Sequence, residues 1–257
     1  MTPTRIAPGG PRDSSPVARA ADGGAGKRSY VQAVFEEIAP SYDLLNHLLS
    51  LNIDRRWRRE AIAMLDWESA PTGTYLDLCA GTMDVSAALA RTDGFSGRMI
   101  GADFAEPMLR AGRGKCPPGT ALPVVADALQ LPVADASIDG IVAAFGVRNL
   151  AGLEAGLREG RRVLKPGSRF VILEFTTPRS PIVRAAYHAY FHHLLPIIGG
   201  VVSGHRTAYE YLPKSVAHFP SEGELVKLMR SAGFVDVSYR SLTMGIAAIH
   251  VGLADGR

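Results

Sequence analysis

Three aspartates close successive short apolar runs along the chain: Asp77 within LDLCAGTMD (76–84), Asp103 within GADFAEPML (101–109) and Asp127 within VVADA (124–128). A carboxylate about 20 residues past a strand-to-helix turn is placed to accept hydrogen bonds from ribose hydroxyls. Asp103 lies 21 residues beyond Thr82. Gly81, at the turn itself, lets the backbone approach a ligand, and the helix that follows offers unpaired N–H groups. If the three runs are parallel strands, their carboxylates meet in one crevice at the carboxyl ends, where such sheets bind ligands. A lone aspartate after a strand is ordinarily a helix cap or a turn residue; three in this register favour a nucleoside site. The G-x-G-x-x-G of dinucleotide enzymes is absent, because Met83 and Ser86 stand where further glycines would be.

The elements that must hold these carboxylates are legible in the hydrophobic period. Runs 74–78, 98–103, 122–126, 138–145 and 169–175 read as strands, with helices over 84–91, 106–112 and 153–164 between them. This alternation implies a doubly wound parallel sheet. Two further strands, 235–239 and 245–252, bring the count to seven in a mostly parallel sheet of the Rossmann-like α/β class. Lys165-Pro166-Gly167 reads as a helix stop ahead of the fifth strand. Ser221 with Glu224 three residues on marks a capped helix over 221–232, closed by Gly233. Upstream, apolar residues at spacings of three and four from Val31 to Leu49, and again from Arg55 to Leu65, predict a helical cap over 29–70. The expected organisation is a disordered tail at 1–28 and one domain over 29–257 with an insertion at 180–220.

Composition restricts the function classes. The chain has 257 residues and a formal charge of +3, but residues 1–28 hold five basic groups against Asp13 and Asp22, leaving 23 of each sign in the remainder. A neutral body lacks the basic footprint of a nucleic-acid binder, so no such partner is expected. Two cysteines and no secretory signal argue against a disulfide framework and for a soluble protein in a reducing cytoplasm. The first 26 residues are rich in Pro and Gly and poor in large apolar side chains, which favours a disordered tail over a transit peptide. From Ala185 to Gly204 there is no Asp, Glu, Lys or Arg. Three histidines, Pro196 and Gly199-Gly200 set this stretch against a membrane span and in favour of an apolar lid or an interfacial helix. Among His188, His192 and His193, the i,i+4 pair shares a helix face but a third metal ligand is missing there, so no metal is expected. Arg55, Arg56, Arg58 and Arg59 around Trp57 suit anionic lipid headgroups or a solvated helix face.

The blocks LDLCAGTMD, GADFAEPML, FGVRNL (145–150), RRVLKPGSRFVILEF (161–175), YEYLPKSVAHFP (209–220) and GIAAIHVG (245–252) resemble the ubiquinone/menaquinone-biosynthesis C-methyltransferases, from about Val31 to Gly252. FG-x-RN and YLP…FP are particular to that family, whereas the KPG block occurs in many methyltransferases. The resemblance implies S-adenosylmethionine as cofactor, with Thr82, Asp103, Asp127 and Ala128 as contacts, the last two at the adenine. With Asp77 and Gly81 from the crevice, these form the expected cofactor set. Met83 departs from the glycine that many members carry. The resemblance further implies methyl transfer to a ring carbon of demethylmenaquinol, with a ubiquinone precursor or another small aromatic as the alternative acceptor. The non-glycine after Gly-Thr, and Ala144 before FG-x-RN, look more like the menaquinone branch.

Methylating an aromatic carbon requires two aligned reactants and stabilisation of a developing phenolate. Arg148 of FG-x-RN, just past the fourth strand, is the expected catalytic cation, acting directly or through water; a structural salt bridge to a helix is the equal alternative. Tyr42 is expected to touch substrate or cofactor, or else to be a packed aromatic. Asn149 orients Arg148 or turns the chain. A polyprenylated quinol is too apolar to travel through water, which leads to an expected peripheral contact with the inner face of the membrane through 185–204. Oligomerisation is left open. The rival classes are a nicotinamide oxidoreductase, disfavoured by the missing glycines and the Asp127-Ala128 pair, and a noncatalytic Rossmann domain, which would bind cofactor without turnover.

Overall fold

The computed structural model describes residues 25–39, 42–43, 50, 52–190 and 206–256, and of residues 25, 188 and 206–210 the backbone alone. Seven strands, β1 Thr74–Leu78, β2 Arg98–Asp103, β3 Ala121–Val125, β4 Ile138–Ala144, β5 Leu164–Phe175, β6 Phe234–Leu242 and β7 Ala247–Ala254, form one sheet in the order β3-β2-β1-β4-β5-β7-β6. Strands β1 to β5 pair in parallel, and β7 is antiparallel to both β5 and β6. Strand order turns back at β1, between β2 and β4, so a crevice opens at the carboxyl ends there.

Helices α1 Ala25–Ile38, α2 Ile53–Ala63, α3 Asp84–Ala90, α4 Glu106–Ala111, α5 Leu153–Val163, α6 Pro181–Ala189, α7 Arg206–Ala217 and α8 Glu222–Ser231 surround the sheet. Helix α1 begins inside the stretch expected to be tail. Helix α8 carries its anticipated cap, with the Ser221 amide donating to Glu224 Oε2 at 2.9 Å. The KPG segment differs from expectation: α5 does stop at Val163, but β5 starts at Leu164 and runs through the segment. Leu164 already pairs with Ile138 while Arg169 pairs with Gly140, so the extra residues bulge out between the two pairs. Most of the uncharged stretch at 185–204, with His192 and His193, lies outside the described residues.

Period-two alternation splits the core into two layers. Leu76, Leu78, Ile141, Ile172 and Phe170 face α5 and α8, meeting Leu157, Leu225 and Met229; Tyr75, Val142, Val171 and Leu173 face α2 and α3, meeting Trp57, Ala61, Val85 and Leu89. Asp77 shares the Tyr75 face, and that parity turns it toward α3. At the switch point the ends of β1 and β4 approach so closely that a Cβ on Gly146 would lie 2.3 Å from Cys79 Cβ. The glycine of FG-x-RN is therefore a contact requirement of the fold. Gly146→Ala is expected to cost about 1–3 kcal/mol through overpacking, measured by denaturant unfolding; unchanged stability would mean the strand ends can part freely.

Candidate active site

Left-handed residues end both strands at the switch point, Cys79 at φ 58° and Gly81 at φ 52° after β1, and Phe145 at φ 60° after β4. Met83 is also left-handed, at φ 63°, and its side chain is buried over Gly101, where an added Cβ would meet Met83 Cε at 2.7 Å. That conformation is one glycine adopts without strain, and packing against Gly101 holds the methionine in it. Asp103 is buried and accepts the Gly81 amide at 2.8 Å and the Ala105 amide at 2.9 Å. Burial raises its pKa, against the pull of those amides. An added Cβ on Gly81 would meet nothing nearer than Met108 Cε at 3.5 Å and Tyr42 Cε1 at 4.0 Å, which leaves that side of the loop approachable. Asp127, at the end of β3, accepts the Leu129 amide at 2.9 Å and pairs with Arg28 of α1 at 2.7 Å, while Ala128 is buried beside it.

Two of the expected contacts are buried and bonded within the chain. Asp77 is 1% exposed and accepts both the amide and the hydroxyl of Ser86, at 2.9 and 2.8 Å, so it caps the first turn of α3. Thr82 is buried, and its hydroxyl donates to Asp43, which also pairs with Lys115. Lys115 reaches Asp84 at 2.7 Å as well.

Beside the crevice lies a largely apolar cavity of about 500 Å³, walled by α1, α2, α6 and α7 and floored by Trp57, Phe145 and Phe175. Arg148 and Tyr42 both line it. Arg148 is buried; its Nη1 donates to Glu174 Oε1 at 2.7 Å and to the Phe145 carbonyl, and its backbone amide donates to Glu174 Oε2 at 3.3 Å. Burial opposes the guanidinium charge, yet Glu174 and the surrounding oxygens hold its pKa above the ordinary value. The salt bridge thus runs to a strand, not to a helix. Nε of Arg148 is buried with no hydrogen-bond partner among the described residues. Lys27 of α1 donates to the Arg148 carbonyl at 2.9 Å, and Tyr211 of α7 donates to Asn149 Oδ1 at 3.2 Å. Two sequence blocks far apart in the chain, FG-x-RN and YLP, are therefore joined directly. Tyr42 packs edge-on against Phe35 with ring centres 5.9 Å apart, so it is both a cavity wall and a packed aromatic.

The model of the ubiE/COQ5 methyltransferase family matches residues 24–254. The chain belongs to that family. As a member it is a methyltransferase, and S-adenosylmethionine is its cofactor. The methyltransferase is similar to the demethylmenaquinone methyltransferase of Thermus thermophilus, with 48% identity over 85% of this chain and 99% of that one. It is also similar to the ubiquinone/menaquinone biosynthesis C-methyltransferase UbiE of Geobacter sulfurreducens, with 44% identity over 88% of this chain and 89% of that one. Among solved structures, a SAM-dependent methyltransferase of Thermotoga maritima shares the fold at TM-score 0.62 and 19% identity, covering 87% of this methyltransferase and 99% of that chain. The [4+2]-cyclase SpnF shares it at 0.63 and 15%, covering 88% and 96%.

Sequence reasoning missed four polar residues of this methyltransferase that bear on the cavity. Glu174 was a lone acid at the end of an apolar strand, a position that demands a partner. Asp54 and Arg58 form a buried i,i+4 ion pair on the same face of α2 as Trp57. The run of four arginines had drawn attention to charge rather than to that spacing: Arg58 is buried, while Arg55, Arg56 and Arg59 are exposed. Lys27 carried no local signal, since its partner is 121 residues away.

Burial pushes the Asp77 carboxyl up to about 7, against the lowering effect of its bonds from Ser86. A carboxyl raised on folding binds its proton more tightly in the native state, so stability is lost as pH rises from the ordinary carboxylate range, about 4, toward 7. Asp77→Asn keeps an oxygen for Ser86 and has no such loss. Its stability relative to the parent should therefore increase with pH across that interval and level off above it, as read by denaturant midpoints; a constant offset would contradict the assignment.

Proposed function

We propose that this methyltransferase carries the methyl group of S-adenosylmethionine to a ring carbon of demethylmenaquinol, giving menaquinol. The observation that carries this reading is the partnerless Nε of Arg148 beside an aromatic-floored cavity. A buried donor left without an acceptor is costly, and an oxygen of a flat quinol seated on that floor completes it. The name of the Thermus relative supports demethylmenaquinol; that of the Geobacter relative covers both quinone pathways and keeps a ubiquinone precursor as the second reading.

The crevice fits the cofactor by its donor set. Asp103 at the end of β2 accepts ribose hydroxyls, its carboxylate aimed by the Gly81 and Ala105 amides. Asp127 and Ala128 receive the adenine, with Arg28 sharing the Asp127 carboxylate. Gly81 gives backbone access, while Asp77 and Thr82 shape the loop from beneath through Ser86 and Asp43. The cofactor supplies an electrophilic methyl group; the chain aligns the quinol and, through Arg148, favours its ionised form. Ile53, Ile182 and Met244 are exposed large apolar residues on the cavity lining and suit reversible contact with a bilayer. No helix among the described residues is long and apolar enough to cross a membrane.

Asp103→Ala should weaken S-adenosylmethionine binding by about 1–3 kcal/mol; unchanged affinity of a folded variant by calorimetry would end the ribose assignment. Arg148→Met should lower turnover of demethylmenaquinol far more than it lowers cofactor affinity, because a charge that stabilises ionised quinol acts mainly in the transition state. Equal losses in both would return Arg148 to a structural role.

A further inference from the structure

Two buried ion pairs flank the aromatic floor of the cavity. On one side Glu174 holds Arg148, whose guanidinium lies 5.6 Å from the centre of the Phe175 ring. On the other Asp54 holds Arg58, whose guanidinium lies 5.4 Å from the centre of the Phe145 ring. The two rings lie with centres 4.6 Å apart, tilted by 34°. Asp54 is 3% exposed, accepts the Ser50 hydroxyl at 2.5 Å, and is the one carboxylate among the described residues that line the cavity. The other titratable groups on that lining are two arginines, which are cations, and four tyrosines. Burial raises the hydroxyls of Tyr187, Tyr190 and Tyr211, which keeps them protonated at neutral pH. Among the described residues of the lining, Asp54 is thus the group that can accept a proton released inside the cavity.

We propose that Asp54 is a catalytic base of the methyl transfer, taking the hydroxyl proton of the quinol as the neighbouring ring carbon is methylated. The inference rests on the quinol reading above. A quinol hydroxyl seated over the floor between the two pairs gives its proton to Asp54, while the Arg148 charge on the other side favours the oxygen left ionised. As the ring carbon bonds to the methyl group, the sulfur keeps the electron pair of the broken C–S bond. The O–H bond gives its electrons to a C=O, and its proton passes to Asp54. The hydroxyl becomes strongly acidic as the carbon bond forms, so a carboxylate already paired to Arg58 is basic enough. The methylated carbon then loses its hydrogen as a proton to water, and Asp54 returns its proton to the oxygen. The ring is again a quinol, Asp54 is ionised, and one proton has been released.

The test uses the full chain with a short-chain demethylmenaquinol and S-adenosylmethionine, comparing the parent with Asp54→Asn and Asp54→Glu. Asp54→Asn should lower kcat by about 10²-fold or more, with cofactor affinity and KM within about threefold. The parent's kcat should fall at acid pH, and the residual activity of Asp54→Asn should lack that limb. Asp54→Glu, which keeps a carboxylate for Arg58 but moves it, should retain at least tenfold more activity than Asp54→Asn at unchanged melting temperature. A folded Asp54→Asn with parental kcat would overturn the proposal. So would equal activity losses in both variants that track their cofactor affinity or stability. If Asp54→Asn does not fold, Asp54→Glu decides alone: slowed turnover with intact stability supports the base, and parental kcat contradicts it. No turnover by the parent would instead sink the quinol reading, and this inference with it.

Discussion

A guanidinium buried among aromatic rings must be answered by an anion, and the burial of Arg148 organises much of what surrounds it. Glu174 sits at the end of an otherwise apolar strand because its carboxylate collects the Arg148 side chain, the Arg148 amide and, at 3.0 Å, the Phe175 amide. Removing either partner would leave an uncompensated buried charge, which is strongly destabilising, although the pair itself adds little net stability over an apolar substitute. That asymmetry ties β4, β5 and the short helical turn at Val147–Asn149 into one arrangement. The pair consumes Nη1 and leaves Nε without a partner among the described residues, so the interaction that fixes the guanidinium also decides which of its donors stays unsatisfied.

Around that pair the molecule sets two differently built compartments side by side. The crevice at β1, β2 and β3 is polar and made by backbone: amides of Gly81 and Ala105 aim Asp103, and left-handed residues turn the loop. The cavity is made by side chains from helices outside the sheet over aromatic rings at the ends of β4 and β5, and the charged side chains among its described residues belong to two compensated pairs. Helix α1 touches both, through Arg28 at Asp127, Lys27 at the Arg148 carbonyl, and Val34 and Phe35 at the cavity wall. A reaction between a polar nucleoside sulfonium and an apolar quinol needs this division, because no single environment solvates both partners.

The strands were legible in the sequence because a sheet covered on both faces leaves nearly continuous apolar runs, and turn residues bound them. The carboxylates at the strand ends were legible for the same reason: a charged residue ending such a run marks the edge of the core. What remained hidden depends on pairs brought together only by folding. Whether Asp77 faces ligand or helix follows from which face of β1 packs on α3, and Ser86 settles it. Glu174 and Arg148 lie 26 residues apart, and Lys27 gains its place in a helix from a carbonyl on the far side of the crevice. The start of β5 ahead of KPG was missed because a proline and a glycine read as punctuation, whereas pairing with the parallel partner β4 tolerates a bulge there.

The account is tested most directly by offering the purified protein S-adenosylmethionine with a deuterated methyl group, together with equal amounts of demethylmenaquinol and a 2-polyprenyl-6-methoxy-1,4-benzoquinol, and locating the label by mass spectrometry. The predicted result is a labelled methyl group on a ring carbon of menaquinol, with the benzoquinol unlabelled or labelled far more slowly. A label on oxygen, a preference for the benzoquinol, or cofactor binding with no label on either acceptor would contradict it.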